Sequence, residues 1–175
     1  MSDLKEQLCT KEKDSLEKLY RKVKGYAALH NIRLGACEST KKEARVDWIA
    51  SAMERKEILQ ALISDLRAGE SACLGYVYES GGFGEYIRIE PYWKETGLIY
   101  TVTDHEGFEH GVMTDVLMDF LRNDDANFLS QIRTSSFINS TVCAMTNLYG
   151  AVPYAKAYDI FQEITVMHQN VAYET

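Results

Sequence analysis

The chain has few residues that break or staple structure. Only two prolines, Pro91 and Pro153, occur among 175 residues, and no Pro/Ser-rich linker or low-complexity tract divides them. The four cysteines, Cys9, Cys37, Cys73 and Cys143, are scattered. No two of them stand across the two-residue gap that lets one turn present two thiolates to zinc, so they read as small, reduced, buried residues. No apolar run approaches the roughly 20 residues that cross a bilayer, and the opening Met1-Ser2-Asp3-Leu4-Lys5-Glu6 lacks the apolar stretch of a signal peptide. A cytoplasmic protein with no membrane partner is expected. Signatures of catalysis are missing too. There is no GxSxG elbow, no Ser or Cys with a recognisable His partner, and no phosphate-loop lysine or GxGxxG spacing. These absences predict neither enzyme activity nor a cofactor.

What is present is an uneven distribution of charge. Residues 1–60 hold 13 Lys/Arg against 10 Asp/Glu, whereas residues 61–175 hold 6 against 16. The net charge of −7 therefore joins a mildly basic front to a strongly acidic back. Such asymmetry favours one part able to approach polyanions and another that repels them. A hydrophobic fraction of 46% with 11 Tyr is that of a folded chain able to bury a core.

Apolar spacing predicts mostly helix. Leu16, Leu19, Tyr20 and Val23 form one stripe, with Leu4 and Leu8 on an earlier turn and Gly25 or Asn31 as the stop. An irregular stretch from Asn31 to Glu38 follows. Thr40 with Glu43 three residues on then reads as a capping box. It opens a helix through Ala44, Trp48, Ile49, Ala52 and Met53 that runs on or restarts through Ile58 and Leu66. The character changes afterwards: Leu74 to Tyr78 is β-prone, Ser80-Gly81-Gly82-Phe83-Gly84 reads as a turn or a mobile connector, and Tyr86 to Ile89 alternates like a strand. Leu98 to Thr103 and Phe108 to Met113 flank a polar, Gly-containing turn and predict a hairpin. Thr114 or Asp115 caps a helix that Asn123-Asp124-Asp125 ends, and two further helices are expected beyond it, the last opened by Pro153. The fold class expected is mainly α with a small antiparallel β-sheet or hairpin (α+β). Residues 1–56 would form a helix–loop–helix module, and residues 57–175 an acidic body closing on a helix pair.

Leu16-Glu17-Lys18-Leu19, Ile32-Arg33-Leu34 and Thr40-Lys41-Lys42-Glu43 make residues 16–53 resemble the SAP and Rho N-terminal modules, small helix–extended-loop–helix units that bind nucleic acid. The order of elements over residues 58–121, with the hairpin as a wing, looks loosely like a winged helix. The resemblance implies that lysines in a helix's first turn meet phosphate there together with the helix's N-terminal amides. Lys22, Lys24, Arg33, Lys41, Lys42 and Arg45 are the candidate nucleic-acid contacts, and DNA is the expected partner.

The wing is acidic, with Asp104, Glu106 and Glu109 on it and no Lys or Arg between Glu95 and Leu121. That sign repels phosphate. With the polar-tipped aromatics Tyr92 and Trp93, these acids form a second candidate surface, for a basic protein partner. Carboxylates so arranged can also imitate the phosphates of nucleic acid. His105 and His110 flank the turn and are metal-ligand types, but they lack a third fixed ligand, and no metal is expected.

Overall fold

The computed structural model describes residues 3–123 apart from 38, 65 and 86, together with residues 130–132, 134, 141 and 159. In chain order the elements are α1 (Asp3–Thr10), α2 (Lys13–Leu29), α3 (Lys42–Met53), α4 (Lys56–Ser64), α5 (Ala68–Glu79), β1 (Phe83–Gly84), α6 (Pro91–Thr96), β2 (Ile99–Thr103), β3 (Glu109–Met113) and α7 (Asp115–Asn123). The fold is mainly helical with one small antiparallel sheet of order β1-β3-β2, as the apolar spacing implies. The helices expected after α7 lie outside the described residues.

α2 buries Leu16, Leu19, Val23 and Ala27 on one stripe. It runs through Gly25, where packing of that stripe outweighs the roughly 1 kcal/mol that glycine costs a helix, and stops at His30. Asn31 takes a left-handed φ of 55°. The Asn31 amide then donates to the Ala28 carbonyl and the Ile32 amide to the Ala27 carbonyl, which closes the helix in a Schellman turn. The linker that follows is laid along α3 and held by side chains of that helix. Trp48 Nε1 donates to the Gly35 carbonyl and Arg55 Nη1 to the Arg33 carbonyl, each at 2.6 Å. α3 itself starts later than the Thr40 box requires. Its N-cap is Lys41, with no side-chain cap bond, and the Lys41 amide donates to Ser39 Oγ at 3.1 Å in the turn before the helix.

Two local readings are corrected and a third is narrowed to one of its alternatives. The β-prone run Leu74 to Tyr78 lies within α5. Glu70 reaches back to accept the Arg67 amide at 2.7 Å, and Cys73, Leu74 and Val77 bury at helical spacing, so start signal and burial override strand preference. The glycine stretch is not a mobile connector but the Schellman close of α5. The Gly81 amide donates to the Tyr78 carbonyl and the Gly82 amide to the Val77 carbonyl, with φ of 76° and 96° at the two glycines. Phe83 and Gly84 then pair with Val112 and Gly111. Residues 87–89 form no strand. Ile87 and Ile89 instead pack beneath the sheet, and a Cβ at Gly111 would stand 2.4 Å from Ile89 Cδ1. Glycine there lets the strand backbone close on the isoleucine.

The predicted hairpin forms with Ile99 opposite Met113 and Thr103 opposite Glu109. Asp104 Oδ1 accepts the amides of Glu106 and Phe108 at 2.9 Å each, which folds the turn between the strands.

One buried cluster runs from Leu4 and Leu8 through α2, α3 and α4 to Leu98, Leu117 and Ile132. It joins residues on both sides of position 56. Trp93, with no exposed surface, is among its largest side chains. Trp93→Ala is expected to cost about 3–5 kcal/mol, the usual range for emptying an aromatic site. A urea midpoint that barely moves would show that the indole is not a core element.

Candidate anion-binding cleft

A cleft of about 480 Å³ opens between α2 and α6. Lys11, at the α1–α2 junction, and Ser15, Lys18, Leu19 and Lys22 of α2 form one wall. The spacing of Ser15, Lys18 and Lys22 sets them on a single face of α2, and the junction before the helix brings Lys11 beside them. Arg88 and Ile89 come from the segment before α6, and Pro91, Lys94, Glu95 and Thr96 from α6 itself. Five cations thus surround the cleft with one carboxylate among them, in a chain of net charge −7.

α6 is short but firmly placed. Pro91 takes its first helical turn and Gly97 its left-handed C-cap, at φ 75°. The Trp93 indole donates to the Glu70 carbonyl of α5 at 2.9 Å, and the Tyr92 hydroxyl donates to the Leu62 carbonyl of α4. Lys11 Nζ donates to the Lys94 carbonyl near the C-terminal end of α6, where a cation is favoured. A Cβ at Gly97 would stand 3.3 Å from Lys11 Cε, on a backbone conformation that side chains resist.

Electrostatically the cleft is poised for an anion. Burial pushes the Lys11 and Lys22 amines below ordinary lysine values, an effect that Glu95 partly opposes at both and Glu70 at Lys22. Lys22 Nζ lies 4.1 Å above the centre of the Tyr92 ring, a cation–π contact that steers it. Lys94 reaches Glu109 at 3.6 Å. Among the described residues no carboxylate lies within ion-pair distance of Lys11, Lys18, Lys22 or Arg88. These four cations therefore face the cleft without a close ion pair among the described residues, and Glu95 is the one acid of its lining.

Of the six nucleic-acid contacts expected from sequence, Lys22 alone lines the cleft. Arg45 is turned inward. Its guanidinium stands 3.7 Å from the Tyr20 ring centre and 3.3 Å from Glu17, and only 14% of its side chain is exposed. It braces α3 on α2 and does not meet a phosphate at the surface. Lys24 lies 5.9 Å from the other face of interest, the Tyr20 ring, which itself packs edge-on against Trp48 of α3. Lys41 is exposed at the α3 N-cap, Lys42 is half-buried in the first turn, and Arg33 is exposed on the linker. Lys22 faces α6 while Tyr20 faces α3, so the six do not gather on one patch.

The acidic candidates separate as well. Trp93 is wholly buried, so it is a core side chain and not a partner contact. Tyr92 is half-buried beneath Lys22. Asp104 is occupied by the turn amides and by His110, whose Nε2 lies 2.9 Å from its second oxygen. Glu109 meets Lys94, whereas Glu106 is exposed. Among the described residues no group of three or more His, Cys, Asp or Glu is placed to hold a metal ion.

One signal for the cleft is local in the sequence: Lys18 and Lys22 are four residues apart on the polar side of α2. Nothing local marks Arg88 and Lys94, which arrive through tertiary folding.

The His110 contact, followed by the amides of Phe108 and Glu106, holds the Asp104 carboxyl below the usual carboxylate range. A depressed folded value means stability that is present above the unfolded pKa, about 3.9, and lost as pH falls through the folded one. Asp104→Ala is therefore expected to lower the thermal midpoint at pH 7, with the gap from the parent narrowing as pH drops below about 4. A gap constant from pH 7 to pH 3 would contradict this role. No family model matches the chain, and no curated protein or solved structure is detectably similar to it.

Proposed function

We propose that this chain is a non-enzymatic, DNA-associated regulatory protein that contacts phosphates through the cleft between α2 and α6. The observation that carries this reading is the convergence of Lys11, Lys18 and Lys22 with Arg88 and Lys94 around one concavity of an otherwise acidic protein. Like charges gathered against their mutual repulsion, with two amines partly desolvated, hold energy that a bound polyanion releases. The likeness of residues 16–53 to helix–extended-loop–helix modules supports the same reading from the sequence side. The cleft moves the expected contact from the start of α3 to the opposite side of α2.

The acidic remainder sets the character of the interaction. Three or four neutralised phosphates give modest affinity that falls steeply with salt. A cytoplasmic setting belongs to this proposal. Among the described residues no helix is long and apolar enough to cross a membrane.

The test is a titration of labelled DNA with the full chain at low and moderate salt. Lys18→Glu with Lys22→Glu is expected to weaken binding at least about tenfold and to flatten the salt dependence. The matched pair Lys41→Glu and Lys42→Glu should do far less. Glu95→Gln removes the one negative charge of the cleft and is expected to tighten binding several-fold at low salt. Unchanged affinity in the Lys18/Lys22 pair would overturn the proposal. A larger loss in the Lys41/Lys42 pair would return the contact to the α3 N-terminus.

A further inference from the structure

We infer that the cleft accepts one nucleotide unit of an unpaired strand, and that the protein therefore prefers single-stranded nucleic acid to duplex. This rests on the phosphate-binding reading above and names its substrate class. The site is a recess and not a face. At about 480 Å³ it has the size of a small-ligand pocket, and two of its cations, Lys11 and Lys22, stand half-buried in its walls. A phosphate must enter the recess to meet both amines.

A duplex carries its phosphates on a convex outer surface and keeps its bases paired and stacked within. It can lie across the mouth, where Lys18, Arg88 and Lys94 are exposed. It sends a sugar or base inward only by breaking a pair. An unpaired strand does so freely.

The remaining lining fits that occupant. Leu19 and Ile89 form a buried apolar floor and Pro91 an exposed apolar edge between the cations, against which a sugar or base edge can rest. The Glu95 carboxylate accepts hydrogen bonds but cannot donate them. Beside bare phosphate it only repels. Beside a base amine it has a partner, and that amine comes inside the recess only when the base leaves the duplex. One acceptor among several cations thus suits a whole nucleotide better than a row of phosphates.

The experiment compares the full chain binding a labelled mixed-sequence single strand of about 12 nucleotides, a length within the usual range of single-strand sites, with the duplex of the same sequence. The expected result is at least about tenfold tighter binding of the single strand. Lys22→Ala should remove most of that preference, while Lys24→Ala, on the Tyr20 side of α2, leaves it unchanged. Adenosine 5′-monophosphate should displace the strand at concentrations where inorganic phosphate does not. Circular dichroism of each variant confirms that it is folded, and the exposed Lys18→Ala provides a second cleft variant if Lys22→Ala is not. Equal or tighter duplex binding, still lost in the Lys18/Lys22 charge-reversal pair, would overturn this inference and leave the phosphate reading intact. Displacement by phosphate as effective as by the nucleotide would also overturn it. Failure of both strands to bind at low salt would overturn the phosphate reading and this inference with it.

Discussion

The architecture around the cleft depends on how a six-residue helix is tied down. α6 is too short to be stable by itself. Trp93 buries its whole side chain in the core and Tyr92 reaches α4, so each ring places its polar atom on a backbone carbonyl of a different helix. Gly97 then turns the chain into β2, and Lys11 closes on the Lys94 carbonyl from across the cleft. Because these contacts fix α6, the adjacent Lys94 and Glu95 take defined positions opposite Lys18 and Lys22. Burial of one aromatic side chain is thereby converted into the geometry of a charged site.

The same packing rearranges the charge. Along the chain, the cations belong mainly to the front and the acids to the back. In the fold, Arg88 and Lys94, two of the few cations of the back, meet three lysines of the front. Four other cations of the front are paired locally. Lys5 pairs with Asp47, Arg45 and Arg21 with Glu17, and Arg55 with Glu57. Exposed pairs of this kind add little stability, whereas in the cleft five cations stand against Glu95 in the lining and Glu109 at Lys94. The hairpin contributes in a different way. Its Asp104 is consumed by the turn and by His110, and its Glu109 by Lys94, which draws acidic groups away from a free surface.

Elements whose signal is a long apolar stripe were legible in the sequence. The Leu16–Leu19–Val23 line gives α2, and the two runs flanking Asp104-His105-Glu106-Gly107 give the hairpin, whose register the fold supplies. α7 follows from its amphipathic pattern and acidic start. Misreadings fall where local preference and tertiary burial conflict. Leu74 to Val77 looks β-prone but is helical because Glu70 starts the helix and the core claims that face. The glycines at 81 and 82 look like a loose loop until their left-handed backbones are seen closing α5. For the site, composition pointed to cations in the first 60 residues, of which Lys22 lines the cleft. Arg45 lies elsewhere, against Tyr20 of α2, a contact that local sequence does not mark. Arg88 and Lys94 were invisible because only the position of α6 brings them to α2.

The central claim is that Lys11 and Lys22 are desolvated cations held in wait for an anion. Nuclear magnetic resonance titration of the lysine side chains addresses it most directly. In the free protein these two amines should lose their protons at lower pH than the exposed lysines, and both should shift upward when a phosphate-bearing oligonucleotide is added. Ordinary values in the free protein, unmoved by the oligonucleotide, would contradict the account.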